Sequence, residues 1–208
     1  PPPPPPPPPP PQNFTNKPEH EILRCLVGSE MCIRDRLSSE VYQKYTADLI
    51  NFRAKEIENQ LIELDGYKLK YHLKTFGQMP QNGWSLFISL HGGGGVDPEI
   101  NERQWNRHKI LYSLEQGILL TPRSPTDTWN MWHQAHIDEI LNRLLQNMIA
   151  SNRINPNKVF LLGYSAGGDG VYQLAPRMAD RFAAASMSAG HPNDASPLGL
   201  RNIGFSIH

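Results

Sequence analysis

The stretch from Lys158 to Gly170, KVFLLGYSAGGDG, constrains the fold more than any other part of the chain. Val159, Phe160, Leu161 and Leu162 form an apolar run too short for a helix and rich in strand formers, as in a central parallel strand covered on both faces. Gly163-Tyr164-Ser165-Ala166-Gly167 then fits G-x-S-x-G, a pattern that sets a serine on a strained strand-to-helix corner with its Oγ clear of the backbone. A helix is expected from Gly168 to Leu174, stopping at Pro176, which cannot continue the hydrogen-bond ladder. The positive end of its dipole would favour an oxyanion at the corner. Asp169, in the first turn, reads as a partner for that helix end rather than as a catalytic group.

A second apolar strand, Trp84 to Leu90 (WSLFISL), runs straight into His91-Gly92-Gly93-Gly94-Gly95. A backbone bare of Cβ atoms can bring its N–H groups against a ligand, and such groups aimed at a developing oxyanion act in acyl transfer. A glycine run alone also fits a flexible turn; its place ahead of a serine corner favours the acyl-transfer reading. A side chain at Gly93 is expected to obstruct that approach.

On these two motifs the chain resembles the α/β-hydrolases, and among them the esterase and depolymerase-like branch with an HGGG-type oxyanion loop. The resemblance covers roughly Gly66 to His208. It implies an α/β fold with a mostly parallel central sheet and helices on both faces, and hydrolysis of a carboxylic ester through an acyl-enzyme, with no cofactor or metal. It gives Ser165 the role of nucleophile, and the N–H groups of Ala166 with Gly92 or Gly93 that of the oxyanion hole. In this family the acid follows a late strand and the histidine follows the last one. Asn202 to His208 reads as the start of that late strand, so the domain is expected to be incomplete at its C-terminus and the chain, as it stands, inactive. The order serine, acid, histidine excludes the histidines upstream of Ser165. Asp194 occupies the less common position for the acid. His191 and His208 end strands and are poorly placed as bases; His191 is kept as a substrate contact. A non-catalytic hydrolase-like binding module and a peptidase on the same scaffold are the alternative readings.

Basic and acidic residues balance at 20 each, with 8 histidines, which argues against a nucleic-acid or anionic-membrane partner; the small-molecule ester expected as partner is what the resemblance implies. No apolar run approaches a membrane span, and the first residues carry neither a basic start nor an apolar signal core. Pro1 to Pro11 is a polyproline tract, and Leu26 to Asp35, LVGSEMCIRD, looks like a translated transposon-end sequencing adapter. Residues 1–36 are therefore expected to be non-native and disordered, with the truncated domain at 37–208; the competing reading is a proline-rich tail for an SH3-type or WW-type module. Both cysteines, Cys25 and Cys32, fall in that block, so no disulfide framework or thiolate metal site is available, which is compatible with a reducing compartment and favours the cytoplasm.

From Leu37 the texture changes. Val41, Tyr45, Leu49 and Phe52 recur as on an amphipathic surface helix. Asp65-Gly66 is a turn signal between Leu61–Leu64 and an alternating stretch, Tyr67 to Phe76, whose Lys68, Lys70 and Lys74 are expected on a solvated sheet edge. Gly117 to Pro122 reads as a strand feeding a loop to Trp132. In open α/β sheets ligands bind at the carboxyl ends of strands, so Trp129 and Trp132 become candidates for a substrate-binding wall, with aromatic packing under the loop as the alternative. Ile137, Ile140, Leu141, Leu144, Leu145, Met148 and Ile149 make one apolar helical stripe. His133 and His136 before it read as helix-start residues with local hydrogen bonds, not as a metal pair. Ala183 to Gly190 and Asn202 to His208 complete the strands, with His191-Pro192-Asn193-Asp194 on the same rim as Ser165.

Overall fold

The computed structural model describes residues 39–208. The expectations for residues 1–36, Cys25 and Cys32 lie outside the described residues. Residues 39–52 are helical (α1), with Leu49 buried and Phe52 left exposed, so the expected stripe does not pack along its whole length. A short helix, α2 (Ala54–Asn59), follows. Glu56 on α2 pairs with Arg143 and accepts from Asn147 at 3.0 Å, which ties α2 to the long helix α4 (Ala135–Asn152). Burial raises the Glu56 pKa, but hydrogen bonds from Arg143 and Asn147 and the charges of Arg143 and Arg53 outweigh it and hold the carboxyl below its usual value.

A seven-stranded sheet forms the centre, in the order β1-β2-β4-β3-β5-β6-β7. The strands are β1 (Leu61–Leu64), β2 (Tyr67–Phe76), β3 (Trp84–Leu90), β4 (Gly117–Pro122), β5 (Ile154–Tyr164), β6 (Ala184–Ser188) and β7 (Gly204–Ile207). β2 runs antiparallel to both β1 and β4; β4, β3, β5, β6 and β7 pair in parallel. Asp65 at φ 50° and Gly66 at φ 82° make the hairpin turn expected between β1 and β2. β2 lies inside the sheet rather than at its edge, so its exposed lysines project from a solvent-facing surface, while Leu69 and Tyr71 point into the core.

Helices cover both faces. Ser89 meets His108 of α3 (Pro98–Leu111), whereas its neighbour Leu90 meets the first turn of α5 (Ala166–Arg177), and successive residues of a strand point to opposite faces. α3 was not legible as a helix in the sequence because its buried stripe is Asn101, Trp105 and His108, spaced as a helix requires but largely polar. The α4 stripe is buried as read, through Ile137, Ile140, Leu141, Leu144, Leu145 and Met148. α5 continues through Pro176 to Arg177, against expectation. A proline in the last turn removes only one ladder bond, and Met178 N–H still reaches the Leu174 carbonyl at 2.8 Å.

Candidate active site

β5 ends at Tyr164 and α5 begins at Ala166, so a single residue, Ser165, makes the corner, with φ 56° and ψ −124°. A non-glycine residue with positive φ is strained, and the surroundings hold this one in place. The Ser165 N–H donates to the Ser188 carbonyl at the end of β6 (3.0 Å), and its carbonyl accepts from Asp169 N–H (3.0 Å). Gly167 lets α5 pack against the end of β3: a Cβ there would lie 2.1 Å from the Leu90 carbonyl oxygen. Ser165 is exposed, and its Oγ makes no hydrogen bond among the described residues.

The glycine loop leaves β3 and comes to rest on that serine. A Cβ built on Gly92 would sit 3.1 Å from Ser165 Cβ and 3.7 Å from its Oγ. The N–H groups of Gly92, Gly93 and Ala166 form no hydrogen bond among the described residues, whereas Gly94 N–H is already taken by Asn101 Oδ1 at 3.0 Å. The loop is clamped from two sides. His91, fully buried, donates from Nδ1 to the Gly92 carbonyl (2.7 Å), accepts at Nε2 from Ser124 N–H (3.1 Å), and its own carbonyl accepts from Trp132 Nε1 (3.0 Å). That pattern requires the neutral Nδ1–H tautomer, in keeping with a pKa that burial pushes down to about 3.

The second clamp is a residue with no motif to announce it. Asn101 of α3 brackets Gly94, accepting from its N–H and donating from Nδ2 to its carbonyl (2.9 Å), and donates also to Asp127 Oδ1 (2.8 Å). Asp127 is paired with Arg123, which reaches Glu102 at 3.4 Å. Gly93 turns at φ 114° over the same side chain, and a Cβ there would fall 1.9 Å from Asn101 Oδ1. The expectation that a side chain at Gly93 would obstruct the ligand is thereby corrected: it would first collide with Asn101. The spacing Asn101, Trp105, His108 was the available signal for this face.

Trp132 is not part of a substrate wall. It is fully buried, edge-on to His91 (centroids 5.3 Å apart), and its Cβ lies 2.5 Å from where a Cβ on Gly170 would stand. Trp129 stays 65% exposed, edge-on to His133 at 5.5 Å, with its backbone against Gly94 and Gly95. His133 makes a local hydrogen bond through its backbone, N–H to the Asn130 carbonyl at 2.8 Å, but the Nε2 atoms of His133 and His136 are both buried without a partner among the described residues, and His136 stacks on Tyr67 at 3.6 Å. Burial lowers the pKa of both. Asp169 leaves its own helix end and accepts from His191 N–H, fixing the loop that follows β6. On that exposed loop His191 Nδ1 accepts from Asn193 N–H (2.9 Å), and Asp194 accepts from Gln173 Nε2 (2.9 Å). Neither side chain hydrogen-bonds Ser165, nor does His208, whose Nε2 lies 3.2 Å from Ser206 Oγ. A cleft of about 380 Å³ opens on the α3 side of the corner, lined by Gln104, Arg107, His108, Leu111 and Tyr164.

No protein-family model matches the chain. Over 112 residues it is 30% identical to a bifunctional acetylxylan esterase/xylanase of Neocallimastix patriciarum, a match covering 52% of this chain and 16% of that protein. Among solved structures, a thermostable esterase superposes with a TM-score of 0.53 at 18% identity, covering 73% of this chain and 46% of that one. An acetyl xylan esterase from Aspergillus awamori superposes at 0.43 and 16% identity, covering 57% and 46%. The chain spans less than half the length of each of these proteins. The fold is that of the α/β-hydrolases, with the serine corner after the fifth strand.

Proposed function

We propose that this chain of α/β-hydrolase fold carries the nucleophile and oxyanion half of a serine-dependent carboxylic ester hydrolase. The observation that carries the reading is the contact of Gly92 with Ser165. It brings the glycine loop against a serine held at positive φ, and in this reading the N–H groups of Gly92, Gly93 and Ala166, none hydrogen-bonded among the described residues, form the oxyanion hole. The match to an acetylxylan esterase and the thermostable-esterase fold support it.

In this reading Ser165 Oγ attacks the ester carbonyl while an imidazole takes its proton. The carbonyl oxygen becomes an oxyanion facing the backbone N–H groups and the positive end of α5. Collapse expels the alcohol, which receives the proton from the imidazolium, and leaves an acyl group on Oγ. Water, deprotonated by the same imidazole, then attacks the acyl carbon and frees the carboxylic acid and Ser165. His191 and Asp194 make other contacts, so no imidazole hydrogen-bonds Ser165 Oγ among the described residues, and Asp194 is retained as a candidate acid. The 208-residue chain is then expected to lack turnover. The second reading, a hydrolase-like binding module, is favoured by one observation, the absence of any base on Ser165 Oγ among the described residues.

Labelling with a fluorophosphonate, followed by peptide mass mapping, separates the two. The full-length gene product should be modified at Ser165, and an unmodified Ser165 in folded protein would leave the binding module standing.

A further inference from the structure

Both clamps on the glycine loop end in one stretch of backbone, the loop that leaves β4. Ser124 N–H donates to His91 Nε2 (3.1 Å), and Asp127 Oδ1 accepts from Asn101 Nδ2 (2.8 Å). Arg123 joins the two: its Nη1 donates to the Ser124 carbonyl (2.8 Å) and its Nη2 pairs with Asp127. Its backbone N–H donates to the Lys70 carbonyl of β2 (2.7 Å), and its Nε lies 3.4 Å from Glu102 of α3. The Arg123 side chain is 11% exposed, so the pair with Asp127 is poorly screened and anchored to the sheet.

Asn101 is fully buried, and its amide has three bonds to satisfy there. Oδ1 takes the Gly94 N–H, one hydrogen of Nδ2 goes to the Gly94 carbonyl, and the other goes to Asp127. Without Asp127 that last hydrogen would be buried unpaired, a cost the side chain escapes only by turning away from Gly94. The side-chain hydrogen bonds of Asp127 among the described residues go to Asn101 and Arg123 alone, so its influence on the glycine loop passes through Asn101. We propose that Asp127, held by Arg123, is a positioning residue for the oxyanion hole, setting the path of the glycine loop against Ser165 through Asn101. The inference rests on the ester-hydrolase reading of Ser165 and adds to it a residue that lies outside both sequence motifs.

Two measurements test it, one of them independent of activity. In the 208-residue chain, amide hydrogen exchange followed by NMR should show Gly94 N–H about tenfold less protected in Asp127→Ala, the worth of one hydrogen bond to a charged group. Ser165 N–H, which donates to Ser188, should exchange as in wild type. In the full-length gene product, Asp127→Ala should lower kcat on p-nitrophenyl acetate about tenfold with KM within about threefold, because the oxyanion donors act in the transition state. Asp127→Asn keeps a carbonyl oxygen for Asn101 and should recover most of that loss. Asn101→Ala should be as slow as the double variant, since Asp127 acts through Asn101. The Asp127 side chain is 33% exposed on a loop, so both single variants at this position should keep the wild-type circular dichroism spectrum.

Unchanged Gly94 exchange overturns the inference, as does a loss from Asp127→Ala that is the same whether or not Asn101 is present. Turnover that Asp127→Ala leaves intact beside an active wild type defeats this inference alone. A Gly94 response in a protein without Ser165-dependent turnover leaves the positioning of the loop by Asp127 standing and defeats the ester-hydrolase reading alone.

Discussion

Asn101 holds Gly94 by both its backbone groups, N–H to Oδ1 at 3.0 Å and carbonyl to Nδ2 at 2.9 Å. Through that one side chain, helix α3 dictates the path of a loop that has no side chains to hold it. The pairing also occupies the Gly94 N–H, whereas those of Gly92 and Gly93 carry no hydrogen bond among the described residues.

Removing the clamp should therefore cost turnover. In the full-length product, Asn101→Ala is expected to lower kcat by about 10²-fold, the order seen when one oxyanion donor is lost. Asn101→Asp should do no better, because it discards the Nδ2 donor and sets a carboxylate against Asp127. Steady-state kinetics alongside thermal melts check this; a fall in Tm with kcat unchanged would reduce Asn101 to a structural residue.

Gly92 and Gly93 should fail differently. A Cβ at Gly92 meets Ser165 Cβ and the Tyr164 carbonyl at 3.1 Å, contacts that a small shift of the loop can relieve, so Gly92→Ala should stay folded and lose turnover. At Gly93 the φ of 114° and the 1.9 Å approach to Asn101 Oδ1 leave no such room, so Gly93→Ala should lose both stability and turnover. Equal stability of the two variants would contradict the geometry.

His91 gives the domain a dependence on pH. Burial holds its folded pKa at about 3 against an ordinary value of 6.5, and burial likewise lowers His108 to about 4. Between the folded and ordinary values the unfolded chain binds the extra proton, so stability falls as pH falls from about 6.5 towards 3, by about 1.4 kcal/mol per pH unit for each such histidine. Protonation would also destroy the Nε2 acceptor used by Ser124 N–H. Urea unfolding at a series of pH values should show this slope, and a shallower one in His91→Phe; identical slopes would mean that His91 is not buried neutral.

The two tryptophans should divide cleanly. Trp132→Ala removes a fully buried ring and the donor to the His91 carbonyl and is expected to cost about 3–5 kcal/mol. Trp129→Ala, on an exposed ring, should stay within about 0.5 kcal/mol of wild type. Chemical denaturation measures both, and comparable losses would refute the assignment of one to the core and the other to the surface.

These contrasts show what the sequence made legible. Local rules sufficed where a motif dictates its own geometry: the strand, corner and helix around Ser165, the hairpin at Asp65-Gly66 and the apolar stripe of α4. They failed where the determinant is a contact between distant residues. Trp129 and Trp132 look alike in the sequence, and only the packing of Gly170 and the carbonyl of His91 decides that one is core. Asn101 was invisible for the same reason, since its function lies in reaching Gly94 from a helix whose buried face is largely polar. Pro176 was misplaced because a helix tolerates a proline in its last turn.

The central claim is that Ser165 is the nucleophile of an ester hydrolase. Hydrolysis of p-nitrophenyl acetate by the full-length gene product, measured beside its Ser165→Ala variant and the 208-residue chain, tests it most directly. The account predicts turnover by the full-length product alone, with the variant and the 208-residue chain both at background. Turnover that survives Ser165→Ala would contradict it.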